Sequence, residues 1–292
     1  MEGHSDMMPP VTPLESQLAA RIRARLGELR GTEARVARVV LDRGTGLVHL
    51  SVSDVAALAG TAPSSVVRAC QRLGFRGYQE LKIAAARHSP AAAPDPADDE
   101  RDPAARALAD TLRAARAALD GITATLTADD LRAAADVLAD ADQVVLVGSG
   151  LSGAVVLDLA YRLRALGLRV DAPADPLTAQ LAAAQLPPGG VCFAVSHGGA
   201  TPLVIDAARR ARAAGASVVA LTGYARSPLT ETATHTLVAG GQDLVFGLET
   251  TASRLAHLAA VDALAQTLLA LRGQPAEQAL GLSADITADH TY

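Results

Sequence analysis

Apolar positions in the first part of the chain recur at helical spacing. Leu18, Ile22, Leu26 and Leu29 predict a helix over Leu14–Leu29, preceded by a proline-containing lead with no period. Thr32 is placed to cap a second helix, Glu33–Arg43, whose stripe is Val36, Val39 and Val40. Ser51-Val-Ser-Asp54 has the spacing of a capping box, so a short helix is expected over Val52–Ala59. Gly60 supplies a turn, Pro63 suits the first position of the next helix, Pro63–Leu73, and Tyr78–Arg87 forms one more.

The pattern then changes twice. Residues 88–103 hold prolines among Ala and Asp without apolar period, which reads as a linker. After two Ala/Leu-rich helical stretches, unalternating apolar runs take over: Gln143–Val147, Arg169–Asp171, Val191–Val195, Ser217–Thr222 and His235–Val238. Helical segments separate them, and Leu255–Leu271 closes the series as a long helix. Strands without alternation, interleaved with helices, predict a parallel sheet covered on both faces. The chain is therefore multidomain: an all-α domain over 14–87, a linker over 88–103, an α/β domain with a five-stranded parallel sheet over 104–273, and a loosely ordered tail over 274–292.

Composition narrows the function. At 292 residues the chain exceeds what one core usually serves. With no Trp, three Phe and four Tyr, it lacks the aromatics that stack on single-stranded nucleic acid. Its net charge of −5 is unevenly spread: residues 1–90 carry 12 basic against 8 acidic side chains, and residues 91–292 carry 14 against 23. A basic head on an acidic body suits a duplex-binding module tethered to a sensor. An arginine-rich composition would give the same excess, so charge alone does not select DNA. Cys70 and Cys192 are far apart and imply neither a disulfide framework nor a zinc site, and no His/Asp/Glu set has metal-ligand spacing. No basic-then-apolar leader opens the chain, and the apolar windows are broken short of a membrane span, so a cytoplasmic protein without membrane contact is expected.

Two short helices joined by a Gly-containing turn form the helix-turn-helix unit, whose second helix enters the major groove. Here its first turn presents Pro63, Ser64 and Ser65, with Arg68 and Arg72 on about the same face. Arg reads guanine bidentately or holds phosphate, and Ser does either with a hydroxyl. Ser51, Arg76 and Lys82 are candidates for contacts to the DNA backbone. A helical bundle with solvated arginines is the plainer alternative.

In the second domain, Gly148-Ser-Gly-Leu-Ser152 and Ser196-His-Gly-Gly-Ala-Thr201 each place small residues where a strand feeds a helix. Gly lets the backbone approach an anion, free N–H groups point at it, and the helix dipole favours negative charge. One such loop is weak evidence, since any tight turn favours small residues. Two in one sheet predict a phosphate-ligand crevice. Neither loop is a nucleotide signature: the only lysine, Lys82, lies in the other domain, and the third Gly of a dinucleotide fingerprint is absent.

The wording of these segments carries a resemblance. Val55-Ala-Ala-Leu-Ala-Gly60, Ser65-Val-Val-Arg68 and Leu73-Gly-Phe-Arg-Gly-Tyr-Gln-Glu-Leu-Lys82 resemble the N-terminal domain of the RpiR family of sugar-responsive regulators. Ala62 stands where that family has a serine cap, with Thr61 beside it as a substitute. The second half resembles the sugar isomerase (SIS) domain from about Val137 to Arg272, with Ala220-Leu-Thr222, Ser227-Pro-Leu229 and Ser253-Arg-Leu-Ala-His-Leu-Ala259 matching its later segments. The resemblance implies that Ser149, Ser152, Ser196 and Thr201 hold a sugar and its phosphate, that Gly199 keeps the turn tight, and that Gly198 replaces a second hydroxyl. His197 either meets a sugar hydroxyl or orients the loop.

Those residues lead to a DNA-binding regulator whose operator binding responds to a phosphorylated sugar, acting as a homodimer or homotetramer on near-palindromic double-stranded DNA. The alternative is a phosphosugar isomerase or lyase. Aldose–ketose isomerisation needs a base near the reacting carbons; Glu231, Glu249, His197 and His257 are available, and none lies in a recognised catalytic motif. A DNA-binding head has no purpose in a plain isomerase, so binding without turnover, with no catalytic residue, cofactor or metal, is the reading taken.

Overall fold

The computed structural model describes residues 29–86, 102–240 and 251–290, with shorter pieces at 18, 22–23, 25–26, 244–245 and 248–249. The expected disordered lead, most of the Leu14–Leu29 helix, and nearly all of the 88–103 linker lie outside the described residues. The chain divides into two compact units, the first Met1–Asp102 with Leu244–Glu249, the second Pro103–Asp243 with Thr250–Tyr292.

The first unit contains α1 (Thr32–Arg43), α2 (Val52–Leu58), α3 (Pro63–Arg72) and α4 (Tyr78–Ala86), with a 3-10 turn over Gly44–His49. Its core gathers Val36 and Val40 of α1, Val55 of α2, Val66 and Cys70 of α3, and Leu81 of α4. The α2–α3 turn pivots on Gly60 at φ 60°. At the far end of α3, Gly74 turns at φ 86° and the Phe75 N–H closes onto the Cys70 carbonyl at 3.0 Å. The Tyr78 hydroxyl donates to the Leu50 carbonyl at 2.9 Å and fixes α4 against the turn before α2. Thr32 is the first helical residue rather than the cap: Gly31 holds that position, with no side-chain bond.

The second unit contains α5 (Pro103–Asp120), α6 (Ala128–Ala139), β1 (Val144–Gly148), α7 (Ser152–Ala165), β2 (Val170–Asp171), α8 (Pro176–Ala184), β3 (Val191–Val195), α9 (Pro202–Ala213), β4 (Ser217–Thr222), α10 (Pro228–Thr232) and β5 (His235–Val238). After a two-stranded antiparallel pair, β6 (Leu244–Val245) with β7 (Leu248–Glu249), that belongs to the first unit, the second unit resumes with α11 (Ala252–Arg272) and α12 (Gln274–Ala288). The main sheet is parallel throughout, in the order β2-β1-β3-β4-β5.

Each central strand is buried on both faces, which is why its apolar run does not alternate. Leu146 and Phe193 point to one side with Leu159 of α7 and Leu264 of α11. Val145, Cys192 and Ala194 point to the other, against Ala183 of α8 and Ala208 of α9.

Two expectations need correction. The tail read as loosely ordered is helical from Gln274 to Ala288. Gly273, at φ 54°, breaks α11 and lets α12 start, and buried Ala276 anchors it to the core. Second, α11 is long and apolar enough to cross a membrane, where the sequence reading saw no such window. Its apolar residues serve the unit's own core: Ala256, His257, Ala260, Val261, Leu264 and Leu268 are all buried.

Candidate functional site

In the first unit, the capping box at Ser51 forms as the spacing predicts. Its hydroxyl accepts the Asp54 N–H at 3.1 Å, and the Asp54 carboxylate accepts the Ser51 N–H at 2.8 Å. Ser51 is only 2 % exposed, so a residue expected at the DNA backbone is a helix cap instead. Lys82 is 4 % exposed. It lies on the buried stripe of α4 with Tyr78, Leu81, Ala85 and Ala86, and that spacing was the available sign that it faces inward.

The remaining candidates reach solvent. Ser64, Arg68, Arg72 and Arg76 are exposed, and Pro63 and Ser65 are partly so. The Arg68 guanidinium donates to the Ser65 hydroxyl at 3.0 Å, one helical turn earlier. Arg72 pairs with Glu33 at 3.7 Å and Arg76 with Glu80 at 3.5 Å. Both pairs are solvent-exposed and weak enough to exchange for phosphate. Ala62 is the N-cap of α3 and makes no side-chain cap bond; Thr61 does not replace it there.

In the second unit, strand order locates the site. The chain winds one way from β1 to β2 and the other way from β3 to β5, so the sheet reverses between β1 and β3. Open α/β sheets bind ligands at that switch point, outside the carboxyl ends of the strands. Gly148, the last residue of β1, pairs in register with Val195, the last of β3. The Gly148–Ser152 and Ser196–Thr201 loops therefore leave adjacent strands side by side.

The helices that follow differ from their neighbours. Asp175 caps α8 and Ser227 caps α10 through side-chain bonds to the helix backbone. Leu151, before α7, and Thr201, before α9, make no side-chain cap bond. The Thr201 hydroxyl pairs across its own loop with Ser196 at 2.9 Å. Two helix N-termini thus lie at the switch point without a side-chain cap, the Ser152 and Gly153 N–H groups turning back onto the Ser149 and Gly150 carbonyls at 3.2 and 3.0 Å, and their helix dipoles favour an anion.

Each loop is shaped by close backbone approach. A Cβ on Gly148 would lie 2.7 Å from Val156 of α7, so glycine is needed for α7 to pack. Gly150 and Gly199 adopt positive φ, 59° and 60°. Ser149 and Thr201 are partly exposed, Gly198 is exposed, and Ser152 and Ser196 are buried at 5 % and 2 %.

His197 is buried as well, at 6 % exposed. Its carbonyl accepts the Gly223 N–H and the Thr222 hydroxyl, both at 2.9 Å. Its ring packs edge-on to Tyr224 with centroids 5.6 Å apart, and lies 5.4 Å from the ring of His257 in α11. Of the two roles the sequence left open, loop orientation fits this burial. Thr222, Gly223, Tyr224, Ser227 and His257 escaped the sequence reading as site-building residues, because only the fold brings them to the Ser196 loop. Of the bases considered for an isomerase, His257 is fully buried, and the Glu249 side chain lies outside the described residues.

A helix-turn-helix unit followed by an α/β domain with paired strand-end loops defines a DNA-binding transcriptional regulator with a sensor domain. Residues 16–90 match the helix-turn-helix domain of the rpiR family, and residues 137–267 match the SIS domain. The chain is 32 % identical over 259 residues to the HTH-type transcriptional regulator HexR of Pseudomonas aeruginosa, covering 88 % of this chain and 90 % of HexR. It is 30 % identical over 251 residues to an HTH-type transcriptional regulator of Caldanaerobacter subterraneus, covering 85 % and 89 %. Vibrio vulnificus NanR, solved in complex with ManNAc-6P, superimposes with a TM-score of 0.79 at 25 % identity, covering 94 % of this chain and 99 % of NanR. The protein belongs to the RpiR family of transcriptional regulators.

Proposed function

We propose that this regulator reads operator DNA with α3 and binds a phosphorylated sugar, without turning it over, at the β1/β3 switch point, and that occupancy there alters operator affinity. The observation that carries the reading is the pair of uncapped helix N-termini, α7 and α9, side by side at the ends of adjacent strands. The other helices that follow strands at this edge, α8 and α10, satisfy theirs with side chains. Ser149, Ser152, Ser196 and Thr201, with the backbone N–H at Gly198, are the donors assigned to the ligand, while the Gly199 N–H closes the loop onto the Ser196 carbonyl at 2.9 Å. The ManNAc-6P bound by NanR supports the ligand class.

On the DNA side, Pro63, Ser64, Ser65 and Arg68 are assigned to the groove, and Arg72 and Arg76 to phosphate. The setting is the cytoplasm, where the operator is. The assembly is a homodimer or homotetramer, which sets two α3 helices about 34 Å apart along the duplex. Apolar faces available for self-association include Leu177 and Leu181 of α8, 75 % and 59 % exposed.

The test combines a gel shift on the regulator's own upstream region with a panel of aldose and ketose phosphates. A shift altered by a phosphosugar that is recovered unchanged supports the reading. Ser196→Ala with Thr201→Ala should keep operator binding and lose the response. Interconversion of the sugars without a gel shift would favour the isomerase.

A further inference from the structure

The Ser196–Thr201 loop is held from behind by α11. Gly240 lies between them: a Cβ there would sit 3.4 Å from His197 Cε1 and 3.6 Å from Ser253 Cβ, in the first turn of α11. One turn further along, His257 sets its fully buried ring 5.4 Å from that of His197. The same two turns of α11 also face α5. Ala252 and Ala256 pack with Ala118, against Ala114 and Ile122. Small residues on both helices bring their backbones close, so a shift of α11 cannot be absorbed by side-chain rearrangement at that contact. α5 begins at Pro103, where the chain enters the second unit from the linker.

We propose that His257 is a positioning residue for the effector loop, and that α11 passes the state of that loop to α5 and so to the linker. Ring contact with His197 sets the loop from which Ser196 and Thr201 face the ligand. The alanine seam converts a displacement of α11 into a displacement of the first helix after the linker. The inference rests on the phosphosugar reading for its ligand, but the contact between α11 and the loop stands on its own geometry. Coupling of this kind needs an element whose arrangement both sites bias, and α11 touches both.

Two variants of the full chain separate the steps. In His257→Ala, amide exchange in segment 196–201 should rise roughly tenfold relative to the β1 amides, because the loop loses its backing while the sheet does not. His257→Phe, which restores a ring, should return exchange toward the wild-type rate. Ala118→Gly, which loosens the seam without wedging α11, should leave the loop and the thermal shift by ManNAc-6P or glucose 6-phosphate as in wild type, but reduce the effect of those compounds on the gel shift. Unchanged loop exchange in His257→Ala, or a full operator response in Ala118→Gly, would overturn the proposal alone. A wild-type chain whose operator binding ignores every phosphosugar tested would overturn the ligand reading and the relay with it.

Discussion

Gly199 and Ser227 leave no room for a side chain between them: a Cβ built on Gly199 would stand 2.3 Å from the Cβ of Ser227 and closer still to its hydroxyl. Ser227 is fully buried and caps α10, and the Leu229 N–H donates to the Gly199 carbonyl at 3.0 Å. The effector loop and α10 are therefore locked by backbone. Gly199→Ala should force a non-glycine residue to φ 60°, at about 1–2 kcal/mol, and displace a cap worth about 1 kcal/mol. A lowered melting temperature with a weakened phosphosugar response is expected. Adding Ser227→Gly should recover part of the stability, because it removes the clash and leaves the dihedral strain. A Gly199→Ala protein as stable as wild type would mean that the loop and α10 are not locked in this way.

Arg68 bonds Ser65 on α3, one helical turn earlier, and on the proposed reading both groups belong to the groove. Arg68→Ala should weaken operator binding by about 1–3 kcal/mol and relax sequence preference at one position. Arg76→Ala should weaken binding to all sequences alike and lower the salt slope by about one. Fluorescence anisotropy against an operator and a scrambled duplex, over a salt series, distinguishes them. Equal losses of preference in both variants would place the reading helix elsewhere.

Ser51 and Lys82 test the same surface in the negative. Ser51→Ala should cost about 1 kcal/mol of stability through the lost cap, and leave the salt slope of DNA binding unchanged. Lys82→Met, which keeps a long stem on the buried stripe, should likewise leave the slope alone. A slope reduced by one in either variant would return that residue to the DNA backbone.

Local chemistry was the legible part of this fold. Ser51 and Asp54 are three residues apart, so their mutual capping is written in adjacent sequence, and the doubly buried strands announce themselves through unbroken Val and Leu. The order β2-β1-β3-β4-β5 depends on pairings between distant segments, and no periodicity encodes it. That order alone makes neighbours of the two Ser/Gly loops. The burial of His197 was hidden for the same reason: Gly223, Gly240 and His257, from three separate stretches of chain, build its enclosure. Lys82 is a different kind of miss. Its place on the apolar stripe of α4 was readable, but its charge drew it to the surface in the sequence reading.

Cys70 and Cys192 give a final prediction, on whether oxidation regulates the protein. Both thiols are buried, in α3 of the first unit and β3 of the second. Burial, which penalises the thiolate, pushes each pKa up to about 12. At pH 8 the thiolate fraction of such a group is about one part in ten thousand, against roughly a quarter for an ordinary cysteine. The thiolate is the species that attacks disulfides and is oxidised, so both residues should be inert while the fold is intact. Native protein should take up no thiol reagent such as dithiobisnitrobenzoate over the time in which the denatured chain reacts at both cysteines. Operator binding and phosphosugar response should also survive mild peroxide. Rapid native labelling of Cys192 would mean that β3 opens beneath the effector loop. The rigid strand ends assumed for the ligand site would then be wrong.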